Sequence, residues 1–149
     1  MIEIRRAEAG NRTAIEKLLS SSDLPLDGLD AGLPLALVAA EGGRLVGCGA
    51  IEPYGASGLL RSVCVEASVR GTGVGRRLVE ELEKLALASG IDELYLLTET
   101  AGAWFPRFGY EPAERSGVPA AMAKSAEFTT ACPISALLLR KSLTPVPTR

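Results

Sequence analysis

The sequence predicts a mixed α/β (α+β) fold, a mixed sheet with helices packed on it, and three observations point that way. Short runs rich in β-branched and aliphatic residues recur along the chain. Two longer segments carry apolar residues at helical spacing. Glycine- and proline-bearing turns separate the two kinds of segment. The 149 residues suit one domain with a proper core, read here as residues 1–143 followed by a flexible tail at 144–149.

Each element has its own warrant. Residues 2–7 alternate apolar and polar side chains, as a half-buried strand does. Over residues 11–22, Ala14, Ile15, Leu18 and Leu19 share one helical face, and Asn11 or Thr13 can cap its start. Residues 23–34 contain Pro25, Gly28, Gly32 and Pro34 and read as a loop. Strands over 35–41 and 44–52 follow, joined by a tight turn at Gly42-Gly43. A third strand covers 58–67. A helix over 73–89 buries Val74, Leu78, Leu82, Leu85 and Ala86, pairs Glu80 with Lys84 outside, and ends at Gly90. A strand at 92–99, a short helix at 101–108 and a strand beginning at 109–112 come next. Residues 113–133 are irregular around a turn of helix at 119–127, and 134–143 is a last apolar strand.

Composition narrows the function. A net charge of −2 offers no basic footprint for nucleic acid. Residues 1–6 are too charged for a signal peptide, and no apolar run approaches the roughly 20 residues of a membrane span. Cys48, Cys64 and Cys132 are odd in number and far apart, which fits a reducing cytoplasm. No histidine is present, which excludes Ser-His-Asp and Cys-His nucleophiles and histidine metal sites, and no metal is expected. Carboxylates, tyrosines, thiols, arginines or the backbone must carry any chemistry.

One stretch breaks two local rules at once. In Arg70-Gly71-Thr72-Gly73-Val74-Gly75-Arg76-Arg77, glycines open a helix although they disfavour it, and arginines stand at the positive end of its dipole. Such breaks mark functional or strained sites. An anion cradle resolves both, because glycines admit a ligand to the backbone, the first-turn amides point at it, and the arginines become its partners. The Lys-Ser/Thr of a P-loop is absent, and Arg76 breaks the dinucleotide fingerprint.

Residues 70–75 resemble the [QR]-x-x-G-x-[GA] signature of the GNAT superfamily of acyl-CoA-dependent acyltransferases. The strand at Val63-Cys64-Val65, the later strand Leu94-Tyr95-Leu96-Leu97-Thr98 and Trp104-Phe105-Pro106-Arg107-Phe108-Gly109-Tyr110 stand where that family has its counterparts. The resemblance implies a mostly antiparallel sheet of about six or seven strands. It implies acetyl-CoA as co-substrate, bound by Val63, Cys64, Val65, Arg70, Gly71, Thr72, Gly73, Val74, Gly75, Arg76, Phe105 and Phe108. It also implies that the backbone N–H of Val63 or Val65 polarises the thioester carbonyl, and that a homodimer is to be tested for.

Several segments, among them 59–65, 94–101, 104–119 and 127–136, are also similar to the arsenic-resistance-associated N-acetyltransferase branch. That finer resemblance implies a small, anionic, amine-bearing substrate, such as an arsenical or phosphinate amino acid, and a detoxifying role. A protein acetylator and a catalytically weak acyl-CoA sensor are the competing readings.

The chemistry itself is read from residue types. Glu52 and Glu99 are candidate bases near strand ends, and Glu127 is a third carboxylate of this kind. Phe105 stands where many members carry a tyrosine acid, so the thiolate leaves directly or with help from Cys64 or Tyr54. Tyr110 reads as a core aromatic. Arg61, inside an otherwise apolar strand, must be paired in a buried salt bridge or face an anionic substrate. Thr98 and Cys132 complete the candidate substrate-binding set.

Overall fold

The computed structural model describes residues 2–22, 24, 26, 29, 33–99, 102–125, 127–131 and 136–143. Seven strands form one sheet in the order β1-β2-β3-β4-β5-β7-β6: β1 Ile2–Arg6, β2 Ala36–Glu41, β3 Arg44–Tyr54, β4 Ser57–Val65, β5 Glu93–Thr98, β6 Glu111–Pro112 and β7 Leu137–Ser142. Neighbours run antiparallel except β4 and β5, which are parallel. Among the described residues three α-helical elements accompany them: α1 Arg12–Ser21, α2 Val74–Ala88 and the short α3 Ala120–Ala123.

The hairpin between β2 and β3 turns at Gly42 and Gly43, with φ +58° and +85°, the left-handed pair that a tight antiparallel turn requires. Helix α2 ends as expected at Gly90, φ +82°, where the Ile91 amide reaches back to the Ala86 carbonyl. Its buried stripe is Val74, Leu78, Val79, Leu82 and Ala86. Glu80 pairs with Arg76 at 3.3 Å and Lys84 with Glu81 at 3.0 Å, so the expected Glu80–Lys84 pair gives way to nearer neighbours on the same face.

Two apolar layers sandwich the sheet. Helix α2 lies on one face, where Leu78 and Leu82 meet Ala39, Val46, Ile51, Leu60, Leu94 and Leu96. It lies close: a Cβ on Gly49 would come within 2.6 Å of Leu82 Cδ1. The opposite face carries α1 over Val38, Cys48 and Cys64, and separately Met122 of α3 over Leu59, Tyr95, Leu97 and Leu138. Between these two clusters, on that face, lies the buried polar group described below.

The weak sequence signals gave the largest differences. The expected helix over 101–108 is one 3₁₀ turn at Phe105–Phe108, and the expected turn over 119–127 is the four-residue α3. Residues Glu127–Ala131 wind as a single π turn within the stretch read as irregular. Strand β7 is shorter than the segment read for it, and residues 144–149 and Cys132 lie outside the described residues.

Candidate active site

The site begins where the sheet divides. β4 and β5 are paired only at Ser57–Glu93, Gly58–Leu94 and Leu59–Tyr95. Beyond that point β5 continues along β7, while β4 continues along β3. Among the described residues, the edge of β4 from Arg61 to Val65 therefore faces no strand. An open edge of this kind presents backbone donors and acceptors to an extended ligand.

A bulge lies on that edge. Cys48 pairs with Cys64 and Ala50 with Arg61, so two steps on β3 span three on β4. Ser62 absorbs the extra residue with φ +60°, the only non-glycine among the described residues in the left-handed region. The residues after it, Val63 and Val65, pack their side chains against the α2 layer, which leaves their main chain to the gap.

The glycine-arginine turn sits at the end of the same strand. Gly71 and Gly73 have φ +82° and +89°, and a Cβ on either would meet nothing within 4 Å. Their requirement is conformational, and it leaves the outside of the turn clear. Gly75 differs: a Cβ there would stand 3.0 Å from Trp104 Cζ2, so this glycine seats the helix against the indole. The first amide to close onto the cap is that of Arg77, on the Gly73 carbonyl, and the preceding first-turn amides of Val74, Gly75 and Arg76 donate to no backbone carbonyl among the described residues.

The Arg70 Nε donates to the Val65 carbonyl at 3.0 Å, holding that guanidinium at the mouth of the gap. Arg76 is exposed, ion-paired with Glu80, and lies 5.9 Å from the Phe108 ring. Exposed pairs of this kind are worth little, so a bound anion can displace them. Positive φ, clear space, outward amides and two guanidinium groups fit a diphosphate.

On the face opposite α2, the candidate residues Glu52 and Arg61 meet. Arg61 Nη1 donates to Glu52 Oε2 at 2.7 Å, and Arg61 Nη2 lies 3.8 Å from Glu127 Oε2. The side chains are 0%, 2% and 6% exposed for Arg61, Glu52 and Glu127. Glu52 Oε1 accepts from the Tyr54 and Ser125 hydroxyls, both at 2.6 Å. Arg61 Nε donates to Ser62 Oγ at 3.2 Å. Burial, then the Glu52 carboxylate, holds the Tyr54 phenol above its ordinary range. Of the two readings offered by the sequence, the buried ion pair is the one the structure has.

These features have counterparts among known proteins. The model of the "Acetyltransferase (GNAT) domain" matches residues 34–112, which contain the divided strands, the bulge and the cradle. The chain belongs to the GNAT acetyltransferase family. It is 35% identical over 107 residues to a Klebsiella pneumoniae [citrate [pro-3S]-lyase] ligase, covering 71% of this chain and 29% of that one. It is 34% identical over 88 residues to an amino-acid acetyltransferase of Pseudomonas syringae, covering 58% of this chain and 20% of that one. The chain thus spans less than a third of the length of either relative.

In fold it is similar to the N-acetylglutamate synthase of Neisseria gonorrhoeae, solved with coenzyme A and N-acetyl-glutamate. The TM-score is 0.84 at 22% identity, over 97% of this chain and 36% of that one. A Mycobacterium tuberculosis protein solved with CoA and NLQ has a TM-score of 0.79 at 24% identity, over 95% and 99%.

Against the GNAT pattern the remaining candidates sort as follows. Phe105 is buried, its ring edge-on to Trp104 at 4.9 Å and to Tyr110 at 5.6 Å, so it is a core residue behind the cradle. Phe108 is half-buried against Trp104. The Tyr110 hydroxyl donates to Glu83 at 2.9 Å, and burial, reinforced by that carboxylate, pushes its ionisation far up; it is the core aromatic the sequence indicated. The Cys64 thiol turns toward α1, donating to Ser22 Oγ at 3.1 Å, and so stands away from the gap. Thr98 is half-buried and Glu99 exposed at the end of β5. Thr72 closes its own turn by donating to the Val69 carbonyl.

Sequence reasoning missed Ser62 and Ser125. A usable signal existed for the cluster they join, since Glu52 and Arg61 are opposite charges at diagonal positions on adjacent strands, each directly preceded by an aliphatic residue, Ile51 and Leu60. Nothing local signals a serine with positive φ. Among the described residues no group of three or more Cys, Asp or Glu could hold a metal ion, and no helix is long and apolar enough to cross a membrane.

Proposed function

We propose that this chain transfers an acetyl group from acetyl-CoA to the amine of a small amino-acid-like acceptor. The observation that carries the reading is the division of β4 from β5 with a bulge on its open edge and the glycine-arginine turn at its end. The turn's amides, with Arg70 and Arg76, hold the diphosphate, and the edge from Val63 to Val65 pairs with the amides of the pantetheine arm. The Val63 N–H donates to the thioester carbonyl, where negative charge grows as the amine attacks.

The amine must be neutral to attack. Glu99, exposed at the end of β5, takes the proton through water, whereas both oxygens of Glu52 are already engaged. With a thiol pKa near about 8.5, the thiolate leaves without a dedicated acid, in keeping with a phenylalanine at position 105.

Support for the acceptor class comes from the amino-acid acetyltransferases among the relatives and from the N-acetyl-glutamate in the gonococcal neighbour. Arsenical and phosphinate amino acids belong to the same chemical class and are its finer version. The reading is tested by thiol release from acetyl-CoA across a panel of amines that includes acidic amino acids, those two analogue types and a peptide N-terminus. Saturable release with a small amino acid is expected. The buried Phe105 favours one second reading, a weakly catalytic acyl-CoA sensor, which binds acetyl-CoA tightly and releases no thiol with any amine.

A further inference from the structure

The buried ion cluster and the bulge share a residue boundary. Arg61 belongs to the cluster, and Ser62, next in the chain, is the strained residue of the bulge. A serine in the left-handed region persists only where its surroundings over-determine it. Here two grips are visible. Arg61 Nε donates to Ser62 Oγ at 3.2 Å, and the Cys48 thiol, from the opposing strand, donates to the Ser62 carbonyl at 3.3 Å. The other end of the guanidinium is fixed to Glu52 at 2.7 Å, and Glu52 in turn accepts from Ser125 and Tyr54. An arginine fork with its terminal nitrogens committed has little freedom left at Nε, so it makes a rigid anchor for the hydroxyl beside it.

We propose that Arg61 is a positioning residue for acetyl transfer: clamped by Glu52 and Glu127, it holds Ser62 in its left-handed conformation and thereby aims the Val63 N–H at the thioester carbonyl. This rests on the acetyltransferase reading above and adds to it the part that sets the oxyanion donor. It also accounts for an arginine with no exposed side-chain surface in a central strand, where an aliphatic residue would pack at lower cost. The cluster reaches beyond the sheet, since Ser125 and Glu127 come from the segment lying over this face. The geometry of the bulge and the seating of that segment are therefore joined through one side chain.

Substitutions at Ser62 separate positioning from mere support. Ser62→Ala removes the hydroxyl and keeps the backbone strain, whereas Ser62→Gly removes both, because glycine adopts positive φ freely. In thiol-release kinetics, Ser62→Ala is expected to lose about fivefold or more in kcat with KM for acetyl-CoA nearly unchanged, and Ser62→Gly to stand well above it. In the milder Arg61→Lys background, which keeps a cation opposite Glu52, adding Ser62→Gly is expected to raise kcat.

A second readout needs no turnover. Bound [1-¹³C]acetyl-CoA reports hydrogen bonding to its carbonyl by a downfield shift, which Ser62→Ala should halve or more and Ser62→Gly should largely retain. If Ala and Gly at position 62 behave alike, or if Gly fails to raise kcat in the Arg61→Lys background, the positioning role is overturned. If wild type binds acetyl-CoA with no carbonyl shift at all, the oxyanion reading itself fails, a result distinguishable from failure of this inference.

Discussion

Removing Arg61 provides the sharpest test of how the core of this face is held. The guanidinium has no exposed side-chain surface and stands between Glu52 and Glu127, themselves nearly sealed from solvent. Arg61→Met fills much of the volume but leaves two buried carboxylates without their cation. Breaking a buried pair in this way costs about 3–5 kcal/mol, a large part of the roughly 5–15 kcal/mol that holds a domain together. For a domain of this size each kcal/mol moves the melting point by about 2–4 °C, so a fall of about 6–20 °C is expected. Thermal melts and urea titrations with unchanged slope measure it. The companion Arg61→Met/Glu52→Gln/Glu127→Gln removes both signs together, and at least half the loss should return. A single variant melting within about 3 °C of wild type would refute the argument, because a sealed Glu52 carboxylate stripped of the guanidinium 2.7 Å away cannot be that cheap.

Three further outcomes follow from the same structure. Arg76→Ala should weaken coenzyme A binding roughly tenfold by calorimetry, as expected for about 1.5 kcal/mol from a charge-assisted bond to phosphate, and the deficit should shrink at high salt; equal affinity would remove Arg76 from the cradle. Phe105→Tyr should not raise kcat, and should cost about 1–3 kcal/mol of stability by burying a hydroxyl among Trp104 and Tyr110; a gain in kcat would restore an acid role at that position. Glu93 tests the acid limb of stability. Partial burial opposes its ionisation, but bonds from Ser57 and Arg140 outweigh it and hold the carboxyl below its usual 4.5. A lowered folded value contributes stability above pH 4.5 that is lost as pH falls through the folded value. Glu93→Gln should therefore flatten the fall in melting temperature below about pH 4.5, and an unchanged acid slope would count against the Ser57–Glu93–Arg140 arrangement.

Much of the site was legible because its signals are local. Gly71 and Gly73 are where left-handed φ is needed, and the arginines beside them sit where a helix dipole would otherwise repel them. Gly75 has a further role that the same signal does not carry: its missing Cβ makes room for Trp104. That contact links residues 29 apart in sequence, and no local pattern encodes it. Arg61 was visible as an anomaly, but its ion-pair partners, Glu52 and Glu127, could be named only once the strands were in register. The boundaries of 101–108 and 119–127 were weakest, since short turns take their form from packing rather than propensity.

By itself the sequence determined the kinds and order of the strands and principal helices, the position of the glycine-arginine turn and the exclusion of histidine chemistry, because periodicity, turn residues and residue inventory act within a few positions of each other. Only the tertiary structure decided where β4 leaves β5, that Ser62 takes the strain of the bulge, and that Glu52 and Arg61 neutralise one another inside the protein. Those depend on register between strands and on segments more than 60 residues apart, such as Arg61 and Glu127, meeting in a medium where an isolated charge is costly.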